Sequence, residues 1–171
     1  MDEFLRKNYF ELFALPLQFD IDLLVLREKY RELQKAVHPD RFTAEAAQSQ
    51  RLALQYTAQA NQAFQTLKDP VSRGFYLLEL LGHSNQPESA TIQDGMFLMR
   101  QMELRERMEN ADASELEAML HEVDDETGEL EQQISQSFQQ IARIKNFDQA
   151  EALLKKMQFY KRLLQEIEER I

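Results

Sequence analysis

The sequence predicts an all-α protein in which an N-terminal helical hairpin precedes a C-terminal antiparallel three-helix bundle. Apolar residues recur at intervals of three and four over long stretches, which is the spacing of amphipathic helices. The 171 residues include only four glycines and four prolines, too few for the many tight turns of an all-β protein. Apolar residues make up 43% of the chain, enough to bury a core in one compact domain or two small ones.

The hairpin is predicted from two amphipathic stretches. The first runs from Asp22 to Val37, where Pro39 ends it because proline lacks the N–H that a helix requires. The second ends at Asp69-Pro70, and the connection from residue 38 to about 45 is at the long end for a helix–helix joint. The two apolar stripes are Leu23, Leu26, Tyr30, Leu33 and Val37, and Leu52, Tyr56, Ala60, Ala63 and Leu67.

The bundle is predicted from three further helices over 92–109, 114–145 and 148–170. Each start carries a capping-box pattern or a close variant of it: Thr91-x-x-Asp94, Ser114-x-x-Glu117 and Asp148-x-x-Glu151. Three amphipathic segments joined by short loops can cover one another, which favours a bundle over a free-standing coiled-coil dimer. The apolar positions of the two longer helices are Leu116, Leu120, Val123, Thr127, Leu130, Ile134, Phe138 and Ile141, and Leu153, Leu154, Met157, Leu164 and Ile167.

Charge divides the chain into two parts. Residues 1–75 carry 10 Lys/Arg and 10 Asp/Glu, whereas residues 76–171 carry 10 and 20, so the net charge of −10 lies in the second part. An acidic surface of this size repels a phosphate backbone, so nucleic acid is not an expected partner. The asymmetry indicates two modules.

Composition excludes several classes of function. Cysteine is absent, which removes disulfides, thiol catalysis and cysteine-ligated metals. The N-terminal segment is charged, and no apolar stretch reaches transmembrane length. We therefore expect a cytoplasmic protein that does not bind or span a membrane. A monomer is the default expectation.

A basic ridge follows the polar face of the first hairpin helix. Arg27, Arg31 and Lys35 recur every four residues, and Arg41 follows Pro39. Such a ridge is often a solvated face whose cations pair with nearby glutamates, here Glu28 and Glu32. Because this ridge leads directly into His38-Pro39-Asp40, a docking surface is the favoured interpretation.

The pair His38 and Asp40 has three interpretations. A hydrolase would need a nucleophile opposite, and the sequence has no glycine-rich nucleophile elbow. A metal site would need further ligands at workable spacing, and neither a His-x₃-His pair nor a cysteine supplies them. Docking and a structural turn remain level on spacing alone.

The hairpin resembles a J-domain. His38-Pro39-Asp40 lies between a basic helix and the ending NQAFQTLKDP, the context that gives the three-residue motif its meaning. Matches to the family's third-helix ending are Asn61, Ala63, Phe64, Leu67, Asp69 and Pro70, and Phe4, Tyr9 and Phe13 fit its short first helix.

The resemblance implies docking on an ATPase chaperone of the DnaK/HscA class. This module would regulate the chaperone's ATP hydrolysis and would not itself be an enzyme. Tyr30 also fits the core stripe. The residues implied to contact the chaperone are Arg27, Tyr30, Arg31, Lys35, His38, Pro39, Asp40 and Arg41.

The first bundle helix has more apolar residues than one buried stripe can use. Within MFLMRQMELRERM, an inward face of Phe97, Leu104 and Met108 leaves other apolar residues outward, namely Leu98, Met99 and Met102. Methionines often only fill gaps in a core. An exposed apolar patch edged by carboxylates would instead bind another protein.

The whole chain resembles the HscB family of J-domain co-chaperones, through the J-domain, the segment DPVSRGFYLLEL and the motif FLMxQMELRE. The resemblance implies a J-domain with an apolar fourth helix over 1–82, a linker over 83–91 and a scaffold-binding bundle over 92–171. Arg100 stands where the family commonly has an acidic residue. The implied scaffold-binding residues are Leu98, Met99, Met102, Glu103, Glu106 and Phe159.

The resemblance implies that the chain binds the iron–sulfur scaffold protein IscU and delivers it to an HscA-type chaperone. It would stimulate that chaperone's ATP hydrolysis and assist the maturation of iron–sulfur proteins, and we expect no cofactor or metal of its own. The alternative is a J-domain co-chaperone for a different client protein.

Overall fold

The computed structural model describes residues 3–37, 47–83 and 94–171, and these residues contain eight α-helices and no strand. The all-α prediction is therefore confirmed. The chain divides into two compact units, Met1–Leu77 and Leu78–Ile171. None of the helices in the described ranges is long and apolar enough to cross a membrane.

The first unit is built on an antiparallel helix pair. Two short helices, α1 (Glu3–Arg6) and α2 (Tyr9–Leu12), precede α3 (Leu23–Val37) and α4 (Ala47–Lys68). Helix α3 begins after Asp22 because that carboxylate accepts the backbone N–H groups of Leu24 and Val25 at 2.8 and 3.2 Å. The buried side chains that join these helices include Phe10, Phe13, Phe19, Leu26, Ala60, Ala63 and Leu67.

Helix α5 (Pro70–Leu80) explains the Asp-Pro ending recognised in the sequence. The Asp69 carboxylate accepts the Ser72 N–H at 2.8 Å, and Pro70 occupies the first helical position, where a missing N–H costs nothing. Arg73 is buried, donates to the Leu67 carbonyl at 2.8 Å and lies 4.8 Å from the centre of the Phe19 ring. The first turn of α5 is therefore fixed both by the Asp69 cap and by the buried Arg73 guanidinium.

The second unit contains the predicted three-helix bundle, formed by α6 (Gly95–Asn110), α7 (Ala113–Ile144) and α8 (Phe147–Glu168). Two residues connect each pair of consecutive helices, which forces each helix to run antiparallel to the one before it. Lys145 ends α7 in a left-handed conformation with φ of 51°. The core of the unit includes Phe97, Leu104, Met108, Met119, Val123, Ile134, Leu154, Met157, Leu163 and Ile167.

The caps predicted at Ser114 and Asp148 are wrong, and Thr91 of the third predicted pattern lies outside the described residues. Helix α6 is capped by Asp94, whose side chain accepts the Phe97 N–H, and α8 is capped by Asn146. Helix α7 has a capping box, but it is formed by Asp112 and Glu115, two residues before the predicted pair. The pattern S/T-x-x-E also occurs by chance in helices rich in glutamate. In α7 the cap is instead Asp112, which lies closer to the turn.

The cap of α7 gives a stability prediction. Replacing Asp112 with Ala removes the acceptor of the Glu115 N–H, which lies at 2.9 Å, and should lower the free energy of unfolding by about 1 kcal/mol. Ser114→Ala is the matched control and should change it by less than about 0.5 kcal/mol. Urea unfolding followed by far-UV circular dichroism measures both. A larger loss in the Ser114 variant would contradict the assigned cap.

Candidate functional site

The basic ridge on α3 is exposed. Arg27, Arg31 and Lys35 all lie on the surface of the first unit. Glu32 pairs with Lys29 at 3.3 Å rather than with the ridge. Within the described part of the chain, Arg27 and Arg31 form no ion pair with a carboxylate. Their guanidinium groups are therefore available to a partner, in contrast to the solvated, internally paired face considered from the sequence.

Tyr30 belongs partly to the core. Its ring stacks on Phe64 with centroids 4.1 Å apart and meets Phe13 edge-on at 6.4 Å. Its hydroxyl donates to Asn61 Oδ1 at 2.9 Å and accepts from Gln34 Nε2 at 2.6 Å. The residue that the sequence left between core and surface therefore holds α3 against α4 and orients the ridge.

The remaining predicted chaperone-contact residues are His38, Pro39, Asp40 and Arg41. They lie outside the residues that the structure describes. Their assignment stays a prediction from the sequence.

Helix α6 has one buried face and one exposed apolar face. Phe97, Leu104 and Met108 point into the bundle and are at most 6% exposed, as predicted. We call the opposite side the outer face of α6. It consists of Met96, Leu98, Met99 and Met102, which are 78, 41, 68 and 72% exposed. Met96 was not among the residues predicted for this face, although its spacing of three from Met99 places it on the same side.

Phe159 on α8 is half-buried beside α6. Its ring meets Phe97 edge-on at 5.6 Å, and the Arg105 guanidinium lies 5.7 Å from its centroid. Arg105 also approaches Glu166 at 3.9 Å. The ring is thus held at the surface in one orientation, and Arg105, which sequence reasoning missed, is the cation that covers it.

Carboxylates continue the outer face toward the end of α6. Glu103 and Glu106 are exposed and line a cleft of about 410 Å³ formed with the first turns of α7. Its other lining residues are Arg107, Asn110, Ala111, Glu115, Ala118 and Met119. Arg107 is turned toward Glu122, with its Nη2 2.9 Å from Glu122 Oε2. The cleft is therefore mainly acidic and joins an apolar surface.

Arg100 is the hub of an ion-pair network between α6 and α7. It donates to Glu122 and Glu126 on α7 and approaches Glu103 on its own helix at 3.0 Å. Burial alone would lower the pKa of Arg100, but these hydrogen bonds raise it above its ordinary value. Hydrogen bonds from Arg107 and Arg100 hold the pKa of Glu122 below its ordinary value. The network also includes Glu103, which shares the Arg100 guanidinium with Glu122 and Glu126.

Comparison with known proteins identifies the family. The family model described as the HSCB C-terminal oligomerisation domain matches residues 93–168. A protein of Shewanella loihica named co-chaperone protein HscB homolog is 43% identical over 167 residues, covering 94% of this chain and 95% of that protein. The chain belongs to the HscB co-chaperone family.

Solved HscB structures share the fold. The chaperone HscB from Vibrio cholerae superposes with a TM-score of 0.84 at 38% identity, covering 95% of this chain and 96% of that one. The human co-chaperone protein HscB gives a TM-score of 0.90 at 27% identity, covering 99% of this chain and 84% of that one. The resemblance found in the sequence is confirmed across both units, and the chain is a co-chaperone.

Proposed function

We propose that this HscB-family chain is an adaptor with two protein-binding surfaces. The α3 ridge and residues 38–41 contact an HscA/DnaK-type chaperone and stimulate its ATP hydrolysis. The outer face of α6, with Glu103, Glu106 and Phe159, binds an IscU-type iron–sulfur scaffold protein. Holding both partners on one chain raises their effective concentration toward each other, which couples hydrolysis to delivery of the scaffold.

The exposed outer face of α6 carries the proposal. Large apolar side chains that remain more than half exposed on a folded helix usually mark a protein interface. Met99 and Met102 are flexible and polarisable, which suits a surface that must fit a partner's contour. The adjacent carboxylates add charge that would orient a partner with basic groups.

The exposed basic ridge on α3 supports the proposed contact with a chaperone. Two exposed arginines without partners in the described chain can each form a forked pair with a carboxylate of another protein. The aromatic stack beneath Tyr30 keeps α3 rigid, so less conformational entropy is lost on docking. Stimulation then requires only that this surface bind one conformation of the chaperone better than another.

Self-association is the alternative use of the outer face, since the matched family model is described as an oligomerisation domain. Two copies meeting through this face would each contribute Glu103 and Glu106 to the contact. Residues 76–171 also carry the whole net charge of −10, so like charges would oppose the contact. We therefore favour a different protein as the partner. A client other than the iron–sulfur scaffold is the remaining alternative.

If the chain is such an adaptor, two sets of substitutions should affect ATPase stimulation separately: one the stimulation by the chain itself, the other the stimulation added by the scaffold. His38→Gln, or Arg27→Ala with Arg31→Ala, should abolish or greatly reduce stimulation of a purified HscA-type chaperone. Met99→Ala with Met102→Ala should leave stimulation by the chain alone unchanged. That variant should weaken binding to an IscU-type scaffold by about tenfold or more and remove the added stimulation that the scaffold gives.

Controls come from the same units. Arg51→Ala changes an exposed arginine on α4, and Ile144→Ala removes an apolar side chain that is 63% exposed at the end of α7. Neither should alter stimulation. If the His38 variant stimulates ATP hydrolysis normally, the proposed contact of residues 38–41 with the chaperone is wrong. If the scaffold adds nothing to the stimulation given by the unmodified chain, the scaffold assignment is wrong and a different client is favoured.

The Arg100 network predicts unequal roles for the two glutamates. Glu106→Gln should weaken scaffold binding by up to about fivefold at low salt, because Glu106 has no ion pair among the described residues. Glu103→Gln should have a smaller effect, because Arg100 already pairs with it at 3.0 Å. Isothermal titration at two salt concentrations distinguishes them. An equal or larger effect of the Glu103 variant would show that Arg100 leaves Glu103 available.

A further inference from the structure

The start of α8 and His83, three residues beyond the end of α5, bring together three side chains of metal-binding type in the second unit. His83, Asp148 and Glu151 place one imidazole nitrogen and two carboxylate oxygens within 4.8 Å of one another. His83 and Glu151 are 68 positions apart in the chain, which explains why no ligand motif was visible in the sequence. We propose that these residues bind a divalent transition-metal ion such as Zn²⁺.

The histidine is held in a ligand orientation. Its ring stacks on Phe147 with centroids 5.3 Å apart and an interplanar angle of 14°. Its Nε2 lies 2.6 Å from Glu151 Oε2, so the nitrogen already faces the carboxylates. Stacking fixes the ring plane in the way that contacts around a metal site orient its ligands.

One carboxylate oxygen of Glu151 faces the proposed metal site, and the other pairs with a lysine. The residue is only 8% exposed, and its Oε1 pairs with Lys155 Nζ at 2.7 Å. Burial alone would raise the pKa of Glu151, but the hydrogen bonds from Lys155 and His83 hold it below its ordinary value. With Oε1 paired to Lys155, the other oxygen, Oε2, is directed toward His83. Lys155 acts as a positioning residue for this ligand.

The donor set and spacing fit a borderline metal ion. Imidazole and carboxylate donors without sulfur suit Zn²⁺ and related ions of the first transition series. Two atoms bound to one Zn²⁺ at about 2.1 Å are at most about 4.2 Å apart. The exposed Asp148 side chain therefore needs only a small rotation to close the site, and the metal replaces the His83–Glu151 hydrogen bond. Three protein ligands leave a fourth position for water.

The proposal does not depend on the partners proposed above, and the test uses the untagged full-length chain stripped of metal with a chelator. ZnCl₂ is titrated calorimetrically near neutral pH, and the ring signals of the three histidines are followed by NMR. We expect one ion per chain and a selective shift of the His83 ring signals. His83→Gln and Asp148→Asn should each weaken binding by about tenfold or more.

His121→Gln is the matched control, because His121 is an exposed histidine on α7 of the same unit, and it should bind zinc as the unmodified chain does. Asp148→Asn changes an exposed side chain and keeps the test valid if the His83 variant does not fold. Zinc should also raise the thermal midpoint of the unmodified chain and not that of the Asp148 variant. Absence of one-to-one binding, or equal binding by the Asp148 variant, would leave His83, Glu151 and Lys155 as a structural ion-pair cluster and overturn the proposal.

Discussion

Helix α6 carries more apolar side chains than the three-helix bundle can bury, and the proposed binding surface depends on this constraint. A helix in a three-helix bundle can bury only one stripe, and here Phe97, Leu104 and Met108 fill it. The methionines Met96, Met99 and Met102 stay largely exposed on the surface, and Leu98 stays partly exposed. The packing that completes the bundle therefore leaves an apolar outer face, which we propose is a protein-binding surface.

Electrostatics set the character of that surface. Arg100 joins α6 to α7 through Glu122 and Glu126 and at the same time pairs with Glu103. Arg105 covers the Phe159 ring. Cations of α6 therefore contact both α7 and α8 and leave Glu106 as the more available carboxylate beside the outer face. The first unit shows the opposite arrangement, in which exposed arginines on α3 lie above an aromatic stack that keeps the helix in place.

Much of this fold could be predicted from the spacing of apolar residues. The hairpin helix α3 and the three bundle helices lie within a few residues of their predicted bounds, because each has a long amphipathic stripe. The caps could not be predicted, since Asp112 and Asn146 became caps only through the geometry of two-residue turns. Which of two plausible cap residues is used depends on how the helices meet.

The candidate surfaces were predictable to a different extent. The division of α6 into an inner and an outer face followed from periodicity, whereas Met96 was left out and Arg105 was missed. The dual role of Tyr30 required the positions of Phe64 and Asn61 on α4. The group His83, Asp148 and Glu151 depends on contacts between residues far apart in the chain, which no local pattern reports.

The most direct test of the account is the solvent accessibility of methionine methyl groups, with and without an IscU-type scaffold. A soluble paramagnetic agent would be added to the chain labelled at its methionine methyls. We expect strong broadening for Met96, Met99 and Met102, little for Met108, Met119 and Met157, and protection of the first three when the scaffold is added. Contradiction would come from broadening of all six alike in the free chain, or from a bound scaffold that leaves the outer three unprotected.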